Sequence, residues 1–203
     1  MDNSTLQQKV YGFSLIIASV LLVISTFFWQ GGEVGITGGT IQVFSCIFWL
    51  PGLFGLLSLL RPAMPRLAAW MSIAATIACI GGNNWGMDGL FFQVYRELGA
   101  SATHETVYAT MGPAAILTLQ FPGLFFPLTL IVTGIALFRS KRVPAWCGLC
   151  LAIGGLAFPI SRIPRIETLA HLADLLLFIP ALVLGLRMMG SMRDESEKRV
   201  VVA

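Results

Sequence analysis

Three ionisable residues, Glu167, His171 and Asp174, follow one another at helical spacing inside a long apolar stretch near the end of the chain. At about 100° per residue they fall within about 60° of one another, so they form one polar stripe on a helix. A carboxylate beside a histidine can prepare the imidazole for proton transfer. The stripe therefore predicts acid–base chemistry or proton-coupled binding, with Asp174, His171 and Glu167 as the candidate catalytic residues.

The same stripe has two other interpretations. Its members could close a structural network with Arg162, Arg165, Asn84 or Gln120, because a buried ionisable group needs a partner. Alternatively, His171 could bind a metal ion or haem. The chain has 2 histidines, and it contains no HExxH motif and no clustered Cys/His spacing. The sequence therefore predicts no metal site and leaves the cofactor unassigned.

Polar residues at a similar depth predict the rest of this site. If the last helix starts near Pro164, Asp174 lies about 15 Å along its axis, near the middle of a hydrocarbon core about 30 Å thick. Arginines near the connection before this helix are candidates for holding an anionic group. The inner halves of the apolar stretches carry no comparable charge, so the site is predicted to open outward. The candidate substrate-binding residues are Asn84, Trp85, Asp88, Gln120, Arg162 and Arg165.

The composition of the chain indicates where such a site must lie. Of the 203 residues, 56% are hydrophobic and 11% are charged, whereas a soluble domain has about 45–50% apolar and about 25% charged residues. The polar side chains are too few to cover a globular surface, and the aromatic residues are too many for a disordered chain. The sequence therefore excludes a soluble monomer and predicts an integral membrane protein with membrane lipids as partners.

Apolar stretches of about 20 residues, the length that crosses a bilayer, predict the architecture. The prediction is an all-α fold, a bundle of six transmembrane helices that forms a single domain over 1–190. A charged cytoplasmic tail is predicted over 191–203. The predicted spans cover about residues 10–29, 40–60, 66–85, 114–138, 144–161 and 166–188.

The placement of basic residues predicts the orientation of this bundle, because Lys and Arg accumulate at the cytoplasmic side of a membrane. With the N-terminus inside, only Arg96, Arg162 and Arg165 of the 13 Lys and Arg residues lie at the outer side. Both termini are therefore predicted to be cytoplasmic, and the expected location is a cell membrane, specifically the bacterial inner membrane. Because the net charge of +3 follows from this placement, no nucleic-acid partner is predicted.

Prolines interrupt the second, fourth and sixth predicted spans. Each follows aromatic or aliphatic residues, as FWLP at 48–51, FFP at 125–127 and FIP at 178–180. A proline inside a spanning helix frees a carbonyl group and kinks the helix, so neighbouring helices must repair the hydrogen bonding. Kinked helices leave room for a cavity between them.

The only long predicted connection runs over 86–113. Its segment 90–98 is amphipathic and predicts a helix along the membrane surface. Long structured connections often cap a site, so this one is either a lid or a plain connector.

The cysteines offer a redox interpretation that the rest of the sequence does not support. Cys147 and Cys150 form a CxxC motif, the spacing of redox-active pairs. The motif falls at the inner end of the fifth span, and the predicted outer loops contain no cysteine for exchange. The favoured interpretation is that the cysteines are small buried hydrophobic residues, and a redox role for the pair stays open.

These observations predict a polytopic membrane protein with an outward-facing intramembrane polar site. The favoured function is binding or conversion of a lipophilic small molecule by acid–base chemistry. One alternative is a small proton-coupled secondary transporter that uses Asp174 as its coupling site. The other is an accessory or structural subunit of a membrane complex. The sequence does not decide whether the protein is an enzyme, and it leaves oligomerisation open.

Overall fold

The fold is all-helical, as the sequence predicts. A computed structural model describes residues 3–29, 33–99 and 104–201, and these residues contain no β-strand. They form eight α-helices, two of them short, and one π-helical turn. The elements are α1 Asn3–Thr26, α2 Gly35–Leu60, α3 Pro65–Glu97, α4 His104–Met111, α5 Pro113–Ala115, the π-helical turn Ile116–Gln120, α6 Phe121–Ser140, α7 Ala145–Arg162 and α8 Glu167–Val201.

Within the described residues, 5 helical segments are long and apolar enough to cross a membrane. The run of α5, the π-helical turn and α6 forms one of them. The third predicted span, about 66–85 in α3, is not among them. Asn83 and Asn84 lie at its end and lower its mean hydropathy. The five segments are Leu6–Thr26, Gly35–Leu60, Pro113–Ser140, Ala145–Arg162 and Glu167–Gly190.

The long helices form a closed ring in the order α1, α2, α3, α6, α7 and α8, and α8 packs against α1. Trp49, Leu53 and Leu177 lie fully buried in the centre. Apolar side chains are also exposed around the outside of the ring. Helices that are apolar all round belong in a large core or in a membrane. Exposed examples are Phe13, Phe44, Ile80, Ile135, Ile153 and Leu175.

Glycines allow neighbouring helices to approach closely. A Cβ atom on Gly12 would lie 2.5 Å from the carbonyl oxygen of Gly185, where α1 crosses α8. A Cβ atom on Gly134 would lie 2.7 Å from the carbonyl oxygen of Gly148, where α6 crosses α7. Close backbone approach of this kind drives helix association in lipid, where the hydrophobic effect between helices is absent.

The predicted connection over 86–113 is largely helical, and this differs from the sequence prediction. α3 continues to Glu97, so the segment 90–98 extends α3 instead of forming a separate surface helix. Packing against the start of α2 explains the extension. Gly86 lies in backbone contact with Gly39, and the side-chain oxygen of Gln93 accepts a 2.6 Å hydrogen bond from the backbone N–H of Ile36.

The connections between the antiparallel helices lie at two ends of the ring. The Glu33 end, defined by the α1–α2 connection that contains Glu33, also carries the end of α3 and the α7–α8 connection. Glu33 pairs there with Arg96 and Arg165. The Arg61 end, defined by the α2–α3 connection that contains Arg61, also carries the α6–α7 connection. α8 continues to Val201, through most of the segment predicted as a tail.

Candidate functional site

The interior of the Glu33 end contains an ion pair between Arg162, the last residue of α7, and Asp174 in α8. Nη2 of Arg162 lies 2.6 Å from Oδ1 of Asp174, and the exposed fractions of the two side chains are 4% and 0%. Removing a charge from water costs several kcal/mol unless a partner and hydrogen bonds compensate. Burial of each charge is therefore tolerated only because the other charge compensates it.

Side chains of α1 and α7 complete the hydrogen bonding of this pair. Thr26, at the end of α1, donates its hydroxyl to Oδ2 of Asp174 at 2.6 Å and accepts from Nη2 of Arg162 at 3.3 Å. The hydroxyl of Ser161 accepts a weak hydrogen bond from Nη1 of Arg162 at 3.4 Å. Both carboxylate oxygens of Asp174 are therefore bonded to protein donors, and the network joins α1, α7 and α8.

Aromatic rings contact the guanidinium group of Arg162. Its Cζ lies 3.9 Å from the ring centroid of Phe158, one turn earlier on α7, and 5.6 Å from that of Trp29. Cation–π contacts of this kind stabilise a cation more strongly when water is excluded. Nε of Arg162 has no hydrogen-bond partner among the described residues. One donor of the guanidinium is therefore left unpaired by this part of the protein.

A pocket opens beside Arg162. The space between its walls, counted together with the open space at its mouth, is about 540 Å³. Most of the lining side chains are apolar. The lining residues are Leu22, Gln42, Cys46, Trp49, Gly82, Trp85, Gly123, Leu124, Phe126, Pro127, Phe158, Pro159, Arg162 and Ile163.

Trp49 supplies a second unpaired donor in the wall of this pocket. Its side chain is fully buried, and its ring meets that of Phe126 edge to face with centroids 5.3 Å apart. Its Nε1 has no hydrogen-bond partner among the described residues. A buried donor without an acceptor costs about 1–3 kcal/mol. Trp49 and Arg162 therefore each bring a buried N–H donor without an acceptor among the described residues to a mainly apolar wall, to which Gln42 adds an amide.

The structure brings several of the predicted site residues together. Asp174 and Arg162 form the ion pair, and Trp85 lines the pocket with Arg162. His171 lies one turn before Asp174 and packs its ring against Phe27, with centroids 4.6 Å apart. The polar stripe of α8 therefore faces the end of α1, where Thr26 and Phe27 meet it.

The other predicted residues occupy separate positions. Nδ2 of Asn84 donates to the backbone oxygen of Thr118 at 2.8 Å. Asp88 lies one turn further along α3, and Glu167 begins α8. Gln120 ends the π-helical turn, and its side chain lies outside the described residues. The binding or catalytic roles of these residues stay predictions.

The arginines expected to hold an anionic group both pair with carboxylates of the chain. Arg162 pairs with Asp174, and Nη1 of Arg165 lies 3.4 Å from Glu33. Arg96 reaches the other oxygen of Glu33 at 2.8 Å. All three arginines predicted at the outer side therefore contact acidic side chains, and two of them share Glu33. This pairing gives a local reason for arginines that the positive-inside rule disfavours.

Sequence reasoning missed several partners in this site. Thr26 and Ser161 are hydroxyl residues at helix ends and carry no distinctive motif. Phe158 stands one turn before Arg162, and this spacing could have signalled a cation–π contact. In the sequence Trp49 stands out only as part of the FWLP motif, because a sequence does not tell where an indole N–H points in the fold.

The next candidates are a metal site and a redox-active thiol pair, considered within the described residues. No group of three or more His, Cys, Asp or Glu side chains there is placed to hold a metal ion. The thiols of Cys46, Cys79, Cys147 and Cys150 are all free. A redox role for Cys147 and Cys150 stays a prediction.

Comparisons with protein-family models, curated proteins and solved structures found no match to this chain. The fold and the site define a class of protein: an all-helical bundle with several helices apolar enough to cross a membrane. A buried ion pair lies beside an apolar pocket within it.

Proposed function

We propose that the chain crosses the membrane six times, with α3 as a spanning helix in addition to the five more apolar segments. α3 has 33 residues, about 50 Å at 1.5 Å per residue, which is ample for a bilayer. It occupies a full place in the ring between α2 and α6. Ile73 and Ile80 on α3 are exposed as apolar side chains, which suits contact with lipid.

In this proposal both termini lie in the cytoplasm. The connections of the Arg61 end contain Arg61, Lys141 and Arg142, Arg139 lies in the last turn of α6 beside them, and basic residues at helix ends mark the cytoplasmic side. The exposed Trp70 and Trp146 lie near the starts of α3 and α7 at this end. Trp is enriched at the membrane–water interface. The Arg61 end is therefore assigned to the cytoplasm and the Glu33 end to the outside.

Reporter fusions are expected to place the two ends of α3 on opposite sides of the membrane. Green fluorescent protein fused after Pro62 should be fluorescent, and alkaline phosphatase fused at the same point should be inactive. The pattern should reverse for fusions after Gly99, since α3 crosses between them. A fusion after Ala203 should match the one after Pro62. The same pattern at Pro62 and Gly99 would contradict α3 as a span.

The function that the geometry supports best is binding of a lipophilic small molecule in the pocket beside Arg162. One observation carries this proposal: Nε of Arg162 and Nε1 of Trp49 are buried donors without a protein acceptor in the described residues, and both side chains line the same apolar pocket. Ligand sites are typically apolar cavities with a few polar groups that fix the orientation of the ligand.

Asp174 acts in this proposal as a positioning residue and not as a catalytic acid. Its two carboxylate oxygens accept hydrogen bonds from Arg162 and Thr26, so the carboxylate holds the guanidinium in place. Acid–base chemistry at Asp174 would require release of these bonds. His171 packs on Phe27 and is not among the residues that line the pocket.

Protein purified from membranes in a mild detergent is expected to retain a lipophilic compound in this pocket. A Cβ atom on Gly82 would meet only the side chain of Cys46 among the described residues, with Sγ at 2.7 Å and Cβ at 3.9 Å, and both residues line the pocket. Rotation of the Cys46 side chain can relieve the contact with Sγ, so Gly82→Val should fill the pocket and remove most of the compound. Organic extraction followed by mass spectrometry measures the content per chain.

Gly190→Val is the matched control, because a Cβ atom there meets no described residue within 4 Å. It should retain the compound in the same amount as the unmodified chain. Equal content in Gly82→Val and the unmodified chain, or no compound in the unmodified chain, would refute binding in this pocket.

A further inference from the structure

Resting on the proposed binding function, we infer that the ligand of this pocket is an uncharged lipophilic molecule whose polar group is a hydrogen-bond acceptor of the carbonyl type. The charge balance of the pocket wall and the kind of polar atoms that it offers carry this inference. It replaces the sequence-based expectation of an anionic ligand, because Arg162, the cation expected to hold an anion, is already paired with Asp174.

The charge balance depends on Arg162, the only lining residue with a permanent charge. Asp174 lies 2.6 Å from it and neutralises it inside the protein. A carboxylate or phosphate ligand would leave a net negative charge in this buried region, and an ammonium ligand would leave a net positive one. Unpaired buried charge is strongly unfavourable, so an uncharged ligand fits best.

The two buried donors without a partner favour an acceptor on the ligand, and the amide of Gln42 in the same wall can donate or accept. Nε of Arg162 and Nε1 of Trp49 can donate a hydrogen bond but cannot accept one. Neither has an acceptor among the described residues. A carbonyl oxygen has two lone pairs and no proton, so it complements such donors. The guanidinium donor makes the stronger of these two bonds, because hydrogen bonds from charged donors are stronger than those from neutral donors.

The remaining wall specifies an apolar body of limited size. Leu22, Phe126 and Phe158 surround the donors with aliphatic and aromatic carbon. The space of about 540 Å³ includes the open mouth, so it sets only an upper limit on the part of a ligand that the walls can enclose. A phospholipid with two acyl chains and a headgroup does not fit it. We therefore assign the pocket to a free molecule and not to a membrane lipid ester.

The test compares four probes of equal chain length: a methyl ketone, an alkane, a carboxylate and an alkylammonium ion. Calorimetric titration measures their binding to the full chain in nanodiscs of ether-linked lipid, with empty nanodiscs subtracted. The ketone should bind about twofold to tenfold more tightly than the alkane for each hydrogen bond made, and more tightly than both charged probes.

Two variants separate binding chemistry from fold. Trp49→Phe keeps a smaller aromatic ring and removes Nε1–H, so the preference for the ketone over the alkane should fall by about twofold to tenfold. Trp70→Phe is the control, because Trp70 is 72% exposed near the Arg61 end. Asp174→Asn removes the compensating charge of Arg162, so the preferred probe should change from the ketone to the carboxylate. A purely structural role for Asp174 predicts no such change.

The possible results are distinct. A preference of the unmodified chain for the carboxylate or the ammonium probe, or equal affinity for ketone and alkane, overturns the inference and leaves the proposed function intact. No saturable binding of any probe beyond that of Gly82→Val overturns the proposed function itself. If Asp174→Asn does not fold, Trp49→Phe decides the acceptor preference alone.

The source of the carbonyl group is tested by repeating the titration in nanodiscs of ester-linked lipid. An unchanged affinity for the ketone supports a free ligand, because lipid ester groups then do not compete. A large loss of affinity in ester-linked lipid assigns the pocket to lipid esters and overturns the choice of a free molecule.

Discussion

Asp174→Ala is expected to lower the free energy of unfolding by about 3–5 kcal/mol, the usual effect of removing one partner of a buried ion pair. The substitution leaves Arg162 buried, with its charge uncompensated, among Phe158, Trp29 and the hydroxyl of Thr26. The destabilisation thus arises mainly from the remaining charge. Reversible unfolding in mixed micelles, with sodium dodecyl sulfate as the denaturant and circular dichroism as the signal, measures it.

Two further variants make this prediction specific. The joint replacement of Asp174 by Leu and Arg162 by Met should recover most of the lost stability, because apolar residues of similar volume often replace a buried pair without loss. Arg165→Ala removes the exposed pair with Glu33, and such pairs contribute less than about 1 kcal/mol. If Asp174→Ala destabilises the protein no more than Arg165→Ala does, the buried pair does not stabilise the fold more than an exposed pair.

Gly81→Ala is expected to be the second strongly destabilising substitution, with a loss of about 1–3 kcal/mol from overpacking. Gly81 is buried where α3 crosses the start of α6. A Cβ atom on Gly81 would overlap the carbonyl carbon of Pro122 and the amide nitrogen of Gly123. Both are backbone atoms, so a rotamer change cannot relieve the contact and the two helices must separate. The same unfolding measurement applies.

This substitution should also affect the pocket. Gly123 packs directly against Trp85, and both residues line the pocket. Separation of α3 from α6 should therefore reduce the amount of retained ligand as well as stability. Gly190→Ala is the control, since the added methyl group has open space and a helical Gly→Ala change gains about 0.5–1 kcal/mol. Unchanged stability of Gly81→Ala would contradict the close crossing of α3 and α6.

The helices of this fold were largely predictable, because length and hydropathy decide which segments can cross a membrane. Their order around the ring was not. Contact between α1 and α8 depends on glycines at positions 12 and 185, which are separated by most of the chain. The continuation of α3 to Glu97 was also missed. It depends on the bond between Gln93 and the backbone of Ile36, a tertiary contact that local amphipathicity does not reveal.

The residue types of the candidate site were predictable from the sequence, but the direct pairing of Arg162 with Asp174 was less so. The rarity of ionisable residues in spanning helices singled out Asp174, and the outer position of Arg162 singled out that arginine. Their direct pairing depends on the turn between α7 and α8, which includes a left-handed backbone conformation at Arg165, with φ of 57°. The donor of Trp49 could not be found from sequence, because only the packed structure tells whether an indole N–H has an acceptor.

The closing of the ring by α8 also has a consequence for biosynthesis. Arg162 emerges from the ribosome with α7, before Asp174 and the rest of α8 have emerged. An arginine at the centre of a spanning helix costs about 2.5–3.5 kcal/mol on insertion scales, so the last turn of α7 is best kept at the membrane surface at that stage. When α8 enters the bilayer beside α1, it brings the carboxylate that makes burial of Arg162 favourable. In the proposed topology, α8 thus completes the insertion of α7, the helix translated before it.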